Sequence, residues 1–227
     1  MKERNELLRA LEVNRAVYDA VRDYIRPGVS ELDIYDLTKT IVDDMLSDVS
    51  HEFIGDFVGG KRCGLIGGDP TEYKLAYGDG FILDLSVRCA STWSDTCRTF
   101  FLGEPTHEIE KAYDAVLKIQ SFGAELVKPG MCAEGIKINA EMLLEDMGYG
   151  SMMPHHMGHI IGAKPYMTPA FDIGHKGAVQ VGDFFALEPG LYVGESWGIR
   201  VENDYLLQSD GAKLLFDYPT EIEHFIV

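Results

Sequence analysis

Apolar side chains at Leu7, Leu11, Val17, Val21 and Ile25 recur at helical spacing across residues 4–25 and stop at Pro27-Gly28. Ser30, three residues before Asp33, suits the N-cap of a second helix carrying Leu37, Ile41 and Met45 on one side. The period then changes. His51–Val58 has strand character, and the glycine-rich stretch Gly59–Gly68 predicts a loop or a tight hairpin. Phe81–Ala90 and Trp93–Leu102 are dense in β-branched and aromatic residues, and their short link predicts an antiparallel pair. The same order then starts again. One helix is expected from Thr106 to Pro129-Gly130 and another from Ala133 to Met147. Histidine-rich strand material follows, then a turn-rich segment, then strands near Phe184–Val193 and Gly198–Leu207. Helices covering one face of a mostly antiparallel sheet define an α+β class.

The repetition extends to individual residues. Gly78-Asp79-Gly80-Phe81-Ile82-Leu83-Asp84 recurs 104 positions later as Gly182-Asp183-Phe184-Phe185-Ala186-Leu187-Glu188. Pro27-Gly28-Val29-Ser30-Glu31 recurs 102 positions later as Pro129-Gly130-Met131-Cys132-Ala133. Each half adds a second acid, Asp95 in the first and Glu202 in the second. The expectation is one domain over residues 1–227, with pseudo-symmetric halves at about 1–104 and 105–227 and no extra N-terminal domain. Closing such halves on each other gathers four carboxylates at one axis. A partly dry site tolerates that only when cations neutralise them.

Each candidate has a plainer reading beside the functional one. A lone Asp in a strand is commonly a turn or edge residue, but Asp84 and Asp95 sit among Ile82-Leu83 and Phe100-Phe101. Eleven residues apart on a hairpin, they share a face if the turn is tight and no bulge intervenes. Glu188 ends an apolar run and precedes Pro189-Gly190, whereas Glu202, beside Asn203 and Asp204, could also be a surface acid. His155, His156 and His159 fall within five residues of a glycine-framed, otherwise apolar stretch. In a strand, His155, Met157 and His159 share one face and His156 points away. That makes His159 the expected ligand and His155 a nearby proton-handling or orienting group.

These residues and their flanks resemble the pita-bread metallopeptidases, the family of methionine aminopeptidases, aminopeptidase P, prolidases and creatinase. The resemblance rests on Asp84, on Ser94-Asp95-Thr96-Cys97-Arg98-Thr99-Phe100, and on Gly158-His159-Ile160-Ile161-Gly162. It also rests on Leu187-Glu188-Pro189-Gly190-Leu191-Tyr192 and Gly198-Ile199-Arg200-Val201-Glu202, and it is nearest the Xaa-Pro peptidase branch. It implies a pita-bread fold and two divalent ions, with Asp84 on one, His159 and Glu188 on the other, and Asp95 and Glu202 bridging. Such mixed ligands suit Mn, Co, Zn or Fe. It further implies hydrolysis of a short peptide by a metal-bridging hydroxide, with Glu188 moving the proton.

Two departures from that pattern bear on substrate. The family histidine in the loop before the first Asp ligand is missing from Arg62-Cys63-Gly64-Leu65-Ile66-Gly67-Gly68-Asp69-Pro70. The histidine seven residues after the ligand histidine is replaced by Tyr166, a candidate hydrogen-bond donor. A metal-dependent enzyme on a small creatine-, ectoine- or sulfonium-like molecule is therefore an alternative, as is a non-catalytic binding protein.

The net charge of −17, from 20 basic and 37 acidic residues, repels nucleic acid and anionic membranes. No apolar run approaches the ~20 residues that span a bilayer, and Met1-Lys2-Glu3-Arg4-Asn5 lacks the apolar core of a signal peptide. Cys63, Cys89, Cys97 and Cys132 form no CxxC pair, as in a reduced cytoplasmic protein. Dimers occur among relatives, so a homodimer is an expectation that no residue pattern localises.

Overall fold

In the computed structural model, which describes residues 1–227, Lys2–Tyr24 form α1 and Glu31–Met45 form α2. α1 buries Leu7, Leu11, Val17 and Val21, the stripe its spacing predicts. Ser30 closes a capping box: its hydroxyl accepts from Asp33 N–H while the Asp33 carboxylate accepts from Ser30 N–H.

The expected 51–58 strand runs as β1 (His51–Ile54) and β2 (Phe57–Gly59), both antiparallel to β3 (Gly80–Cys89). Pairing continues between them, because Asp56 and Asp84 exchange backbone hydrogen bonds of 3.1 and 3.0 Å. The glycine-rich stretch departs from expectation: Gly60–Leu65 wind into a short 3-10 helix. The cause is Glu31, a buried carboxylate that accepts from the Gly59 and Thr71 amides and pairs with Arg62, gathering the segment around one charge. On the other edge of β3 lie β4 (Thr92–Trp93) and β5 (Thr96–Phe101).

The second half repeats the order with α3 (His107–Leu126), capped by Thr106, and α4 (Ala133–Asp146). Strands β6 (Gly158–Ile161), β7 (Met167–Ala170), β8 (Phe184–Leu187), β11 (Asn203–Gln208) and β12 (Gly211–Leu214) form one sheet, ordered β12-β11-β8-β6-β7. Between them, β9 (Gly190–Val193) and β10 (Trp197–Arg200) pair as a hairpin. Two cores result. α1 and α2 cover the first sheet through residues such as Tyr18, Ile34, Phe81 and Phe100; Tyr113, Ile119, Phe171 and Phe185 fill the second.

Cys97 and Glu202 join the two sheets by exchanging backbone hydrogen bonds of 3.3 and 3.0 Å. Behind this join lies Arg98, fully buried. Its guanidinium donates to the carbonyls of Cys97, Glu202 and Pro219 and to Asn203 Oδ1. It also lies 5.1–5.9 Å from the rings of Phe216, Tyr218 and Tyr18. A buried cation needs such partners. No helix is long and apolar enough to cross a membrane, and all four cysteines are free thiols.

Candidate metal centre

The strand registers alone place the acids. Asp84 pairs with Cys97 and Leu85 with Thr96, so the same register carries Asp95 opposite Ser86, whose hydroxyl donates to Asp95 Oδ1 at 2.7 Å. Residues 84 and 86 share a face, so Asp84 and Asp95 stand together without a bulge. In the second half Asn203 pairs with Leu187, and one step further sets Glu202 opposite Glu188, just beyond both strand ends. The Cys97–Glu202 bridge then brings this pair against the first. Asp84, Asp95, Glu188 and Glu202, with Asp56 and Ser86, line one cavity of about 300 Å³. His159, on β6 beside β8, reaches in: its Nε2 lies 3.1 Å from Glu188 Oε1 and 3.5 Å from Asp95 Oδ2. All five sequence-predicted ligands therefore meet.

Their electrostatics are strained without a cation. Burial, with repulsion from Asp95, Asp84 and Glu188, pushes the Glu202 carboxyl well above the usual range. Burial likewise raises Asp95 to about 6 and Asp84 well above normal, although the Arg200 guanidinium, 2.8 Å from Asp84, opposes the latter. Burial alone would raise Glu188 too, but His156 and His159 outweigh it and hold the carboxyl well below its ordinary value. Burial would lower His159, yet Glu188 and Asp95 push it up to about 9. Glu188 Oε1 and Glu202 Oε2 are buried acceptors with no well-aligned donor. Donor atoms of Asp95, His159 and Glu202 all lie within 4.8 Å of one another. Oxygen and imidazole donors converging with unsatisfied lone pairs fit divalent cations.

The histidine stretch corrects one expectation. The strand begins only at Gly158, so the alternating-face rule does not reach His155 and His156. His156 points into the site, its Nδ1 3.0 Å from Glu188 Oε1. His155 lies near the same carboxylate, with Nδ1 4.0 Å from Glu188 Oε2 and 2.7 Å from the His156 carbonyl. Burial lowers His155 to about 4, leaving a neutral ring. The network fixes its tautomer: Nδ1–H donates to the carbonyl and Nε2 accepts from the Tyr192 hydroxyl at 3.1 Å. Tyr166, almost half exposed, sets its ring centroid 4.7 Å from that of His159 and 5.3 Å from that of His156.

Several participants escape a sequence reading. Arg200, though buried, binds Asp84, Asp56 (2.6 Å), the Ile66 carbonyl (2.9 Å) and the Tyr192 hydroxyl (3.1 Å). The available signal was an arginine flanked by Ile199 and Val201, two residues before Glu202 and so on its face. Gln120 on α3 donates to the carbonyls of Leu187 and Val201, the residues just before the two glutamates, and accepts from Asn203 Nδ2. Nothing in its local sequence marks it.

Two lobes, each supplying acids to one cavity with a histidine alongside, make a candidate centre for divalent cations. Residues 5–209 match the model of metallopeptidase family M24, and the chain belongs to that family. It is 30% identical over 203 residues to the Bacillus subtilis protein named "Putative dipeptidase YkvY", covering 87% of this chain and 54% of that protein. Among solved structures it is similar to an Xaa-Pro dipeptidase from Bacillus anthracis, with a TM-score of 0.90 at 26% identity. That match covers 97% of this chain and 62% of the other. A prolidase from Pyrococcus horikoshii OT3 gives a TM-score of 0.90 at 25% identity, over 97% and 63% of the two chains. The chain spans between half and two thirds of the length of these relatives. The shared architecture is the α+β pita-bread fold.

Proposed function

We propose that this chain is a dinuclear metal-dependent hydrolase that cleaves a short peptide or peptide-like amide, as Xaa-Pro dipeptidases do. One observation carries the reading: five donor side chains from both halves converge on one cavity, with buried oxygens of Glu188 and Glu202 that no well-aligned donor satisfies. Asp84, Asp95, His159, Glu188 and Glu202 would hold the ions, of which Mn, Co, Zn and Fe suit the donor set. Bound divalent cations would supply Lewis acidity toward a carbonyl and lower the pKa of water.

The chain's own groups handle position and protons. Glu188, kept ionised, accepts a proton, and the neutral His155 ring faces its Oε2. Arg200 tethers Asp84 and, through the Tyr192 hydroxyl, fixes the edge of His155. Tyr166 packs its ring against those of His156 and His159, a phenol in place of an imidazole. The unpaired cysteines and the acidic surface support work in the cytoplasm on small neutral or cationic substrates, away from nucleic acid and membranes.

A second reading, turnover of a small creatine-, ectoine- or sulfonium-like molecule, draws on two positions. The stretch Arg62–Pro70 around Ile66 lacks the histidine of the peptidase pattern and Tyr166 replaces the other, and the Ile66 carbonyl is already taken by Arg200. A panel of Xaa-Pro and other dipeptides, assayed with Mn or Co, separates the readings. Metal-stimulated cleavage of an Xaa-Pro member supports the first. No turnover of any peptide, with turnover of a small amine or sulfonium compound, overturns it.

A further inference from the structure

Beside the trio Asp95, His159 and Glu202 lies a second: donor atoms of His155, His156 and Glu188 also fall within 4.8 Å of one another. Only Glu188, shared with the proposed pair of ions, belongs to both readings. His156 has no place among the five ligands, yet its buried Nδ1 faces Glu188 Oε1 at 3.0 Å without the alignment of a hydrogen bond. His155 Nδ1 lies 4.0 Å from Glu188 Oε2. With metal–ligand bonds of about 2.1 Å, neighbouring ligands of a tetrahedral ion stand about 3.4 Å apart. The observed separations bracket that value. We infer that His155, His156 and Glu188 form an auxiliary cation site, selective for zinc-like ions over manganese and opposed to catalysis when filled.

The donor chemistry sets the selectivity. Two imidazoles and one carboxylate favour Zn, Co, Ni or Cu, whereas Mn and Mg prefer oxygen-rich sets. Ligation through His155 Nδ1 needs one tautomer change. The ring proton now donated to the His156 carbonyl moves to Nε2, where the Tyr192 hydroxyl oxygen, 3.1 Å away, accepts it. A proton on His156 Nδ1, which faces Glu188 Oε1 at 3.0 Å, likewise moves to Nε2 or to solvent as the ion takes its place. An ion held here takes both Glu188 and His155 out of proton handling, so excess zinc inhibits while excess manganese does not.

The inference rests on the dinuclear reading only through Glu188, and metal counting distinguishes them. Full-length protein is stripped with a chelator and titrated separately with Zn and Mn against a chromophoric competitor at neutral pH. The expected stoichiometry is about three zinc but about two manganese per chain, falling to two zinc in His156→Ala with the first two affinities unchanged. His155→Asn, which keeps a polar side chain, loses the same equivalent. Two zinc in both wild type and His156→Ala overturns the auxiliary site and leaves the dinuclear reading standing. One zinc in wild type and none in His156→Ala supports the auxiliary site and overturns the dinuclear reading. Weakening of the first two zinc ions in His156→Ala also overturns the inference, because His156 then serves the main pair.

Discussion

Gln120→Leu isolates the brace behind the two glutamates. Leucine nearly matches glutamine in volume, so the change removes hydrogen bonds and leaves packing largely intact. Three contacts go: Gln120 Nε2 to the Val201 carbonyl (2.9 Å), Nε2 to the Leu187 carbonyl (3.2 Å), and Asn203 Nδ2 to Gln120 Oε1 (2.9 Å). Each buried group left without a partner costs about 1–3 kcal/mol, and the Asn203 amide is the clearest such orphan. A total of roughly 2–4 kcal/mol follows, because relaxation recovers part of the loss. For a chain of this size that lowers Tm by about 5–15 °C. The site effect is separate. Leu187 and Val201 immediately precede Glu188 and Glu202, so freeing their carbonyls loosens both carboxylates, and divalent-metal affinity is expected to fall about 10–100-fold. Ile119→Val, a neighbouring buried change costing about 0.5–1.5 kcal/mol, serves as the control. It should lower Tm without changing metal affinity, as read by competition with a chromophoric chelator. Unchanged metal affinity in Gln120→Leu, alongside a lowered Tm, would reduce the brace to a stability element and refute the reasoning.

Three further outcomes are expected. His159 in the metal-free protein titrates near 9, so below that pH a cation displaces its proton, and metal uptake at pH 7.5 releases about one proton or more. Affinity therefore rises with pH and levels off near 9, and the stability from His159 protonation, full below 6.5, disappears through the same value. Calorimetry in buffers of different ionisation enthalpy checks the proton count, and zero release contradicts the site. Arg200→Met leaves the buried Asp84 without its counter-ion and is expected to cost about 3–5 kcal/mol in urea unfolding of the metal-free protein. Added manganese, by neutralising Asp84, should restore part of that loss; no recovery argues against Asp84 as a ligand. Gly158 has φ near +157°, and a Cβ there would meet the Ala186 carbonyl oxygen at 2.1 Å. Gly158→Ala is expected to cost about 2–4 kcal/mol and to weaken metal binding by shifting His159; an unchanged Tm would show that the strand can yield.

What could be read in advance, and what could not, follows from the range of each interaction. Helix stripes, the Ser30 cap and the repeated Gly-Asp…acid motif are local, and periodicity within one element exposes them. Asp84 and Asp95 were legible because one hairpin register fixes both. His156 was misplaced because two residues decide whether a strand has begun, and element boundaries depend on tertiary pairing. Arg200 meets Asp56 across 144 positions, and Gln120 meets Leu187 across 67. No local pattern reports such partners. The 3-10 turn at Gly60–Leu65 was hidden for the same reason, since its organiser, Glu31, sits on α2.

The Cys97–Glu202 junction makes the molecule divisible in an instructive way. Cut at the exposed Glu104, the chain yields two fragments, each keeping its own helices and most of its apolar interior but only part of the ligand set, while Phe216, Tyr218 and Phe225 are parted from the first core. Neither piece alone can grip an ion with all five donors. A bound ion would then be the rivet between them, and its concentration would govern how completely the severed molecule knits back together.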